Sequence, residues 1–86
     1  MDVTSPATTG QVAEVLAATL GVDRERLTAS TPLFGSLPEL DSMAVVEIVV
    51  ALEERFGITL DEEDITAEAF ATVASLTELV AARQAA

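Results

Sequence analysis

The stretch ELDSMAVVEIVVALEERFG, residues 39–57, constrains the fold more than any other part of the chain. On an ideal helix at about 100° per residue, Val45, Ile48, Val49, Leu52 and Phe56 gather on one side. Such a stripe is the core-facing side of a packed helix. Gly57 supplies a C-terminal stop, and Arg55 suits the negative end of the helix dipole. The pattern predicts a helix from about Ser42 to Phe56. Met43, Val46 and Val50 gather on a second side, beside Glu47, Glu53 and Glu54, while Ala44, Ala51 and Arg55 occupy the rest. This second side is either a wide face buried between two neighbouring helices or a partner surface with apolar anchors in a charged rim. Methionine suits a surface that fits several partners.

The rest of the chain supplies helices for this one to pack against. Residues 1–8 read as a flexible leader rich in Thr, Ser and Pro. Thr8 and Gln11 have capping-box spacing, Val12, Val15, Leu16, Thr19 and Leu20 recur at helical spacing, and Gly21 ends the run. They predict a first helix over about 9–20. Residues 21–41 form a long connection in which Asp23 is placed to cap a short turn. TPLFGSLPEL breaks any helix, yet it carries Leu33, Phe34, Leu37 and Leu40. A long apolar loop of this kind packs over something or serves a function. Thr66 can cap a short helix, AEAF, and Thr72 a last one through about Arg83, with Val73, Leu76, Leu79 and Val80 on one face. Ile58–Leu60 has the composition of a strand but no partner strand. The expected fold is all-α: a small four-helix bundle of three main helices plus a short third one, forming a single domain over residues 1–86.

Composition excludes several functions. Of 86 residues 15 are acidic and four are cationic, all arginine, for a net charge of −11. Phosphates repel such a surface, so nucleic acid is not an expected partner. Proteins with basic docking surfaces are attracted to it. Cysteine and histidine are absent, and so is lysine. The usual nucleophile–base pairs are therefore missing, and an enzyme is not expected. Asp61, Glu62, Glu63 and Asp64 form an acidic run, but an EF-hand counted from Asp61 would need an oxygen ligand at Ile65 and glycine at Thr66. A solvated acidic turn is the better reading, and no metal site is expected. No segment is long and apolar enough for a membrane span, and the N-terminus lacks the features of a signal peptide. A cytoplasmic location is the default.

Ser42 stands where two roles compete. A serine at a helix start is most often a cap. The same place suits a phosphate, because free N–H groups and the helix dipole favour an anion. A phosphodiester on Ser42 would lie at the foot of the Met43/Val46/Val50 face.

Asp41, Ser42 and Met43, in a stretch that continues through VVEIVVALEERFGI, resemble the acyl carrier proteins, whose motif is Asp-Ser-Leu at the start of helix two. The resemblance covers most of the chain, from the first helix to the last. It implies a 4′-phosphopantetheine arm, taken from coenzyme A, on Ser42, flanked by Asp41 and Met43. It implies that Met43, Val46, Glu47, Val50, Glu53 and Glu54 form the docking face for a phosphopantetheinyl transferase and for acyl-loading, condensing or modifying enzymes. It implies a non-catalytic carrier that holds acyl groups as thioesters for fatty acid, polyketide or related specialised biosynthesis. Leu40, where many members have a small residue nearby, and Arg55, which interrupts the acidic run, depart from the pattern. A chain without cysteine, lysine or histidine offers its own thioester few attackers. Val46, Ile48 and Phe56 are candidate walls for a sheltered acyl chain. The short tails suggest a freestanding protein. Two alternatives remain: an unmodified acidic interaction module, and a peptidyl or aminoacyl carrier.

Overall fold

The computed structural model describes residues 6–33 and 41–85, with the side chain of Pro6 excepted. Three α-helices account for most of it: α1 (Pro6–Leu20), α2 (Ser42–Phe56) and α3 (Val73–Ala85). Two 3₁₀ turns, Arg24–Arg26 and Glu62–Asp64, lie in the connections. The all-α expectation holds, with no named strand among the described residues.

Helix α1 begins three residues earlier than the spacing suggests. Proline at the first helical position has the right φ and no N–H to lose, so Pro6 opens the helix. Thr8 thus lies inside the first turn rather than at the cap, and residues 6–8 of the expected leader belong to α1; residues 1–5 lie outside the described part. The ends of α1 and α2 are built alike. Gly21 and Gly57 take left-handed conformations, with φ of 71° and 65°. The N–H groups of Gly21 and Val22 both donate to the Ala17 carbonyl, and those of Gly57 and Ile58 to the Glu53 carbonyl. Carbonyls that the helix would leave unpaired are thereby satisfied.

Every helix contributes to one core. Val12 and Leu16 from α1, Ile48 and Leu52 from α2, and Val73, Leu76 and Val80 from α3 are fully buried. Val45 and Phe56 are half-buried against that core. Ala44, which the helical wheel leaves off the core stripe, is also buried. The buried face of α2 is wide because α1 and α3 both pack against it. Thr77 is buried too, and its hydroxyl donates to the Val73 carbonyl at 2.7 Å.

The connections are tied down by backbone pairing that no periodicity announces. Leu33 N–H donates to the Ala71 carbonyl, Val73 N–H to Thr31 and Ala74 N–H to Ala29. The segment before residue 34 is thereby stitched to the start of α3, with Leu27 and Leu33 buried beneath it. Phe34, Leu37 and Leu40 lie outside the described residues. Asp23 precedes the first 3₁₀ turn, but its side chain accepts no capping bond there. The expected short third helix, AEAF after Thr66, is a hydrogen-bonded turn: Ala69 N–H donates to Thr66 Oγ1 and Phe70 N–H to the Thr66 carbonyl. Phe70 is already buried, and the cap of α3 follows at Thr72, so no second turn fits.

Candidate functional site

The start of α2 separates two duties that its sequence leaves entangled. Asp41 is the N-cap: its Oδ1 accepts from Ala44 N–H at 2.8 Å, and its carbonyl receives Val45 N–H. Ser42 is the first helical residue. Its side chain is exposed, and its hydroxyl has no hydrogen-bond partner among the described residues. The Asp41 carboxylate is the acid at the positive end of the helix dipole, and the first turn after it adds no other.

A cavity of about 220 Å³ opens beside Ser42, lined also by Val45, Ile65, Thr66, Ala67 and Phe70. Its walls come from α2 and from the segment that replaces the short third helix. The Ser42 hydroxyl thus stands at the rim of an apolar recess. The wall residues expected for an acyl chain are elsewhere: Ile48 is fully buried in the core, and Val46 faces outward at 62% exposure. Neither these nor Phe56 lines the recess. Ile65, Ala67 and Phe70 were missed because no motif links 65–70 to residue 42; only the tertiary fold does.

Just before the recess wall in sequence, Asp64 pairs with Arg83 of α3. The Arg83 guanidinium donates to Asp64 Oδ1, and Asp61 N–H donates to Asp64 Oδ2 at 2.9 Å. The hydrogen bond from Arg83, followed by that from the Asp61 backbone, holds the Asp64 carboxyl below its ordinary pKa. Across the pair, the hydrogen bond to Asp64 raises Arg83. Asp64, the last residue of the acidic run, is therefore a structural carboxylate. Among the described residues no three metal-ligating side chains converge.

The second side of α2 remains uncovered. Met43 is 73% exposed, Val46 62% and Val50 47%, so a face buried between two helices is excluded. Glu47 and Glu54 are exposed beside them. Glu53 is half-buried, and its Oε2 accepts Leu60 N–H at 2.8 Å, which fixes the chain just after the helix. Arg55 reaches across to Glu14 of α1 at 3.1 Å.

These residues fit a serine-linked phosphopantetheine: a hydroxyl without a hydrogen-bond partner among the described residues, at a helix N-terminus, beside an apolar recess. The family model for the phosphopantetheine attachment site matches residues 10–80. The acyl carrier protein of Syntrophobacter fumaroxidans is 37% identical over 76 residues, covering 88% of this chain and 90% of the relative. The solution structure of a holo acyl carrier protein from Nitrosomonas europaea superposes with a TM-score of 0.81 at 40% identity, covering 91% of this chain and 96% of that one. No helix among the described residues is long and apolar enough to cross a membrane.

Proposed function

The chain belongs to the acyl carrier proteins, which bear a 4′-phosphopantetheine group, and from that premise we propose that Ser42 is the residue that bears it. The observation that carries this reading is the division of labour at residues 41 and 42. Asp41 does the capping, so the ordinary explanation of a serine at a helix start is already taken. What is left is an exposed hydroxyl at the positive end of a helix dipole, where a phosphodiester is stabilised.

When bound, the arm supplies a terminal thiol that holds an acyl group as a thioester. The protein's own residues anchor, shelter and present. Ser42 fixes the attachment point on a rigid helix start, and Asp41 keeps that start formed. Val45, Ile65, Ala67 and Phe70 offer an apolar wall beside it, suited to a short alkyl chain folded back from solvent. Met43, Val46 and Val50 are the anchors on which partner enzymes dock, with Glu47 and Glu54 steering their basic surfaces. Those partners are a phosphopantetheinyl transferase and enzymes that load, condense or modify the acyl group in fatty acid, polyketide or related biosynthesis. The chemistry is theirs, and this chain is their substrate.

Intact mass after incubation with coenzyme A, magnesium and a permissive phosphopantetheinyl transferase tests the assignment. Wild type should gain one phosphopantetheine, and Ser42→Ala none. A folded wild type that stays unmodified with several transferases would point to an unmodified docking module.

A further inference from the structure

Met43 stands in the third place of the Asp-Ser-Leu motif, and it is the most exposed large hydrophobic side chain among the described residues. We propose that its thioether is a site of reversible oxidation by hydroperoxides, and that this oxidation slows loading of the arm on Ser42 without unfolding the protein. The inference rests on the carrier reading and on Met43 as an anchor beside Ser42, and it adds a means of regulation to that site.

Oxidants have few places to act on this chain. Cysteine, tryptophan, tyrosine and histidine are absent, and Met1 and Met43 are the two methionines. Thioethers are then the side chains that peroxide attacks most readily. Of the two, Met43 lies within the described fold, next in sequence to Ser42. An open groove of about 630 Å³ runs between α1 and α2 past Val46 and Val50, and the recess opens beside Ser42; Met43 lines neither. Its side chain stands out from both, so the sulfur is reached directly from solvent.

Leucine and methionine fill nearly the same volume, so either can serve as an apolar anchor. Methionine alone carries a sulfur lone pair. That lone pair attacks the terminal oxygen of a hydroperoxide, and the O–O bond breaks as the S–O bond forms. The proton on the transferred oxygen passes to the departing hydroxide or alkoxide. Sulfur loses two electrons and the peroxide gains them, giving methionine sulfoxide and water or an alcohol. Two thiols of a methionine sulfoxide reductase system reverse the step: they close to a disulfide, and the oxygen leaves as water. The sulfoxide is polar. Pressed against a partner's apolar surface, its oxygen loses the hydrogen bonds that water gave it. The fold has no such stake in residue 43. The core side of α2 is Ile48, Val49 and Leu52, and Asp41 holds the helix start, so oxidation of Met43 touches neither.

Loading kinetics of the oxidised apo protein test the proposal. The protein is treated with hydrogen peroxide, desalted, and mapped by peptide mass until the Met43 peptide carries one added oxygen. It is then loaded from coenzyme A and magnesium by the transferase that loads the untreated protein. The transferase's KM for this protein should rise about tenfold, the scale of losing one well-packed interface anchor, with kcat and thermal unfolding unchanged. Methionine sulfoxide reductases should restore the original KM. Met43→Leu should show one KM before and after peroxide, which separates Met43 from Met1. Met43→Gln, polar and of similar length, should raise KM with no peroxide added. An unchanged KM with Met43 fully oxidised would overturn the proposal. So would an equal rise in treated Met43→Leu, or a Met43 that stays reduced while Met1 is oxidised. Loading that ignores oxidation sinks the switch and leaves the carrier standing. Untreated wild type that takes no arm sinks the carrier reading, and the switch with it.

Discussion

At residues 41 and 42, adjacent side chains have been given unrelated work. Asp41→Ala deletes the acceptor for Ala44 N–H and should cost about 1 kcal/mol, within the ~0.5–2 kcal/mol range of lost caps. Ser42→Ala removes an exposed hydroxyl without a partner among the described residues and should change stability by less than about 0.5 kcal/mol. Urea unfolding of the two variants checks this, and equal losses would show that Ser42 shares the capping. From sequence, either side chain could cap, because both serine and aspartate accept from a helix N–H and a boundary is uncertain by a residue. The position of the helix start decides between them. Glu53 shows the opposite limit. It reads as one more rim acid, yet its carboxylate receives Leu60 N–H from seven residues away, a bond no periodicity encodes.

Among the elements, α2 was the most legible. Its apolar spacing, its start after Asp41 and its stop at Gly57 all act within a few residues, and its observed span is Ser42–Phe56 as expected. The start of α1 was less so, because Pro6 serves equally well in a leader or at a first helical turn. The short third helix gave way because residues 66–72 must bury Phe70 and then cap α3. The outer side of α2 shows what local pattern can and cannot give. The wheel separates Met43, Val46 and Val50 from the core stripe, but only the packed neighbours show them uncovered. Reversing charge at Glu47 and Glu54 together should slow loading by the transferase through association, by more at low salt than at high. Stopped-flow loading at several ionic strengths measures it. Glu53 is left intact, since its replacement would also free the Leu60 N–H. Rates that fall equally at every salt would move the effect from steering to structure.

For the molecule as a whole, both surface features near α2 join segments far apart in sequence: 42–45 with 65–70 at the recess, and 14–19 with 46–55 at the groove. The helices themselves were readable, but their juxtaposition was not. The Asp64–Arg83 pair is of the same kind, since it ties α3 to the Glu62–Asp64 turn nineteen residues earlier. Its pH dependence has a definite sign. Asp64 is held below its ordinary pKa by Arg83 and the Asp61 N–H, so its contribution is present above that ordinary value and is lost as pH falls through the lowered one. With 15 acidic side chains, protonation elsewhere also relieves repulsion, so the informative quantity is a difference. Wild type should exceed Asp64→Asn in stability at neutral pH, and the gap should close below about pH 4; thermal unfolding across that range tests it, and a gap that stays constant would mean that the carboxylate's charge is not its source. The cap at Asp41 has a consequence for descent as well. Nothing in the described fold leans on the neighbouring hydroxyl, so a duplicated gene that exchanged one codon at position 42 would still encode a chain that folds and occupies partners while carrying nothing. On the proposal that Ser42 bears the arm, an empty decoy of this protein is a single substitution away.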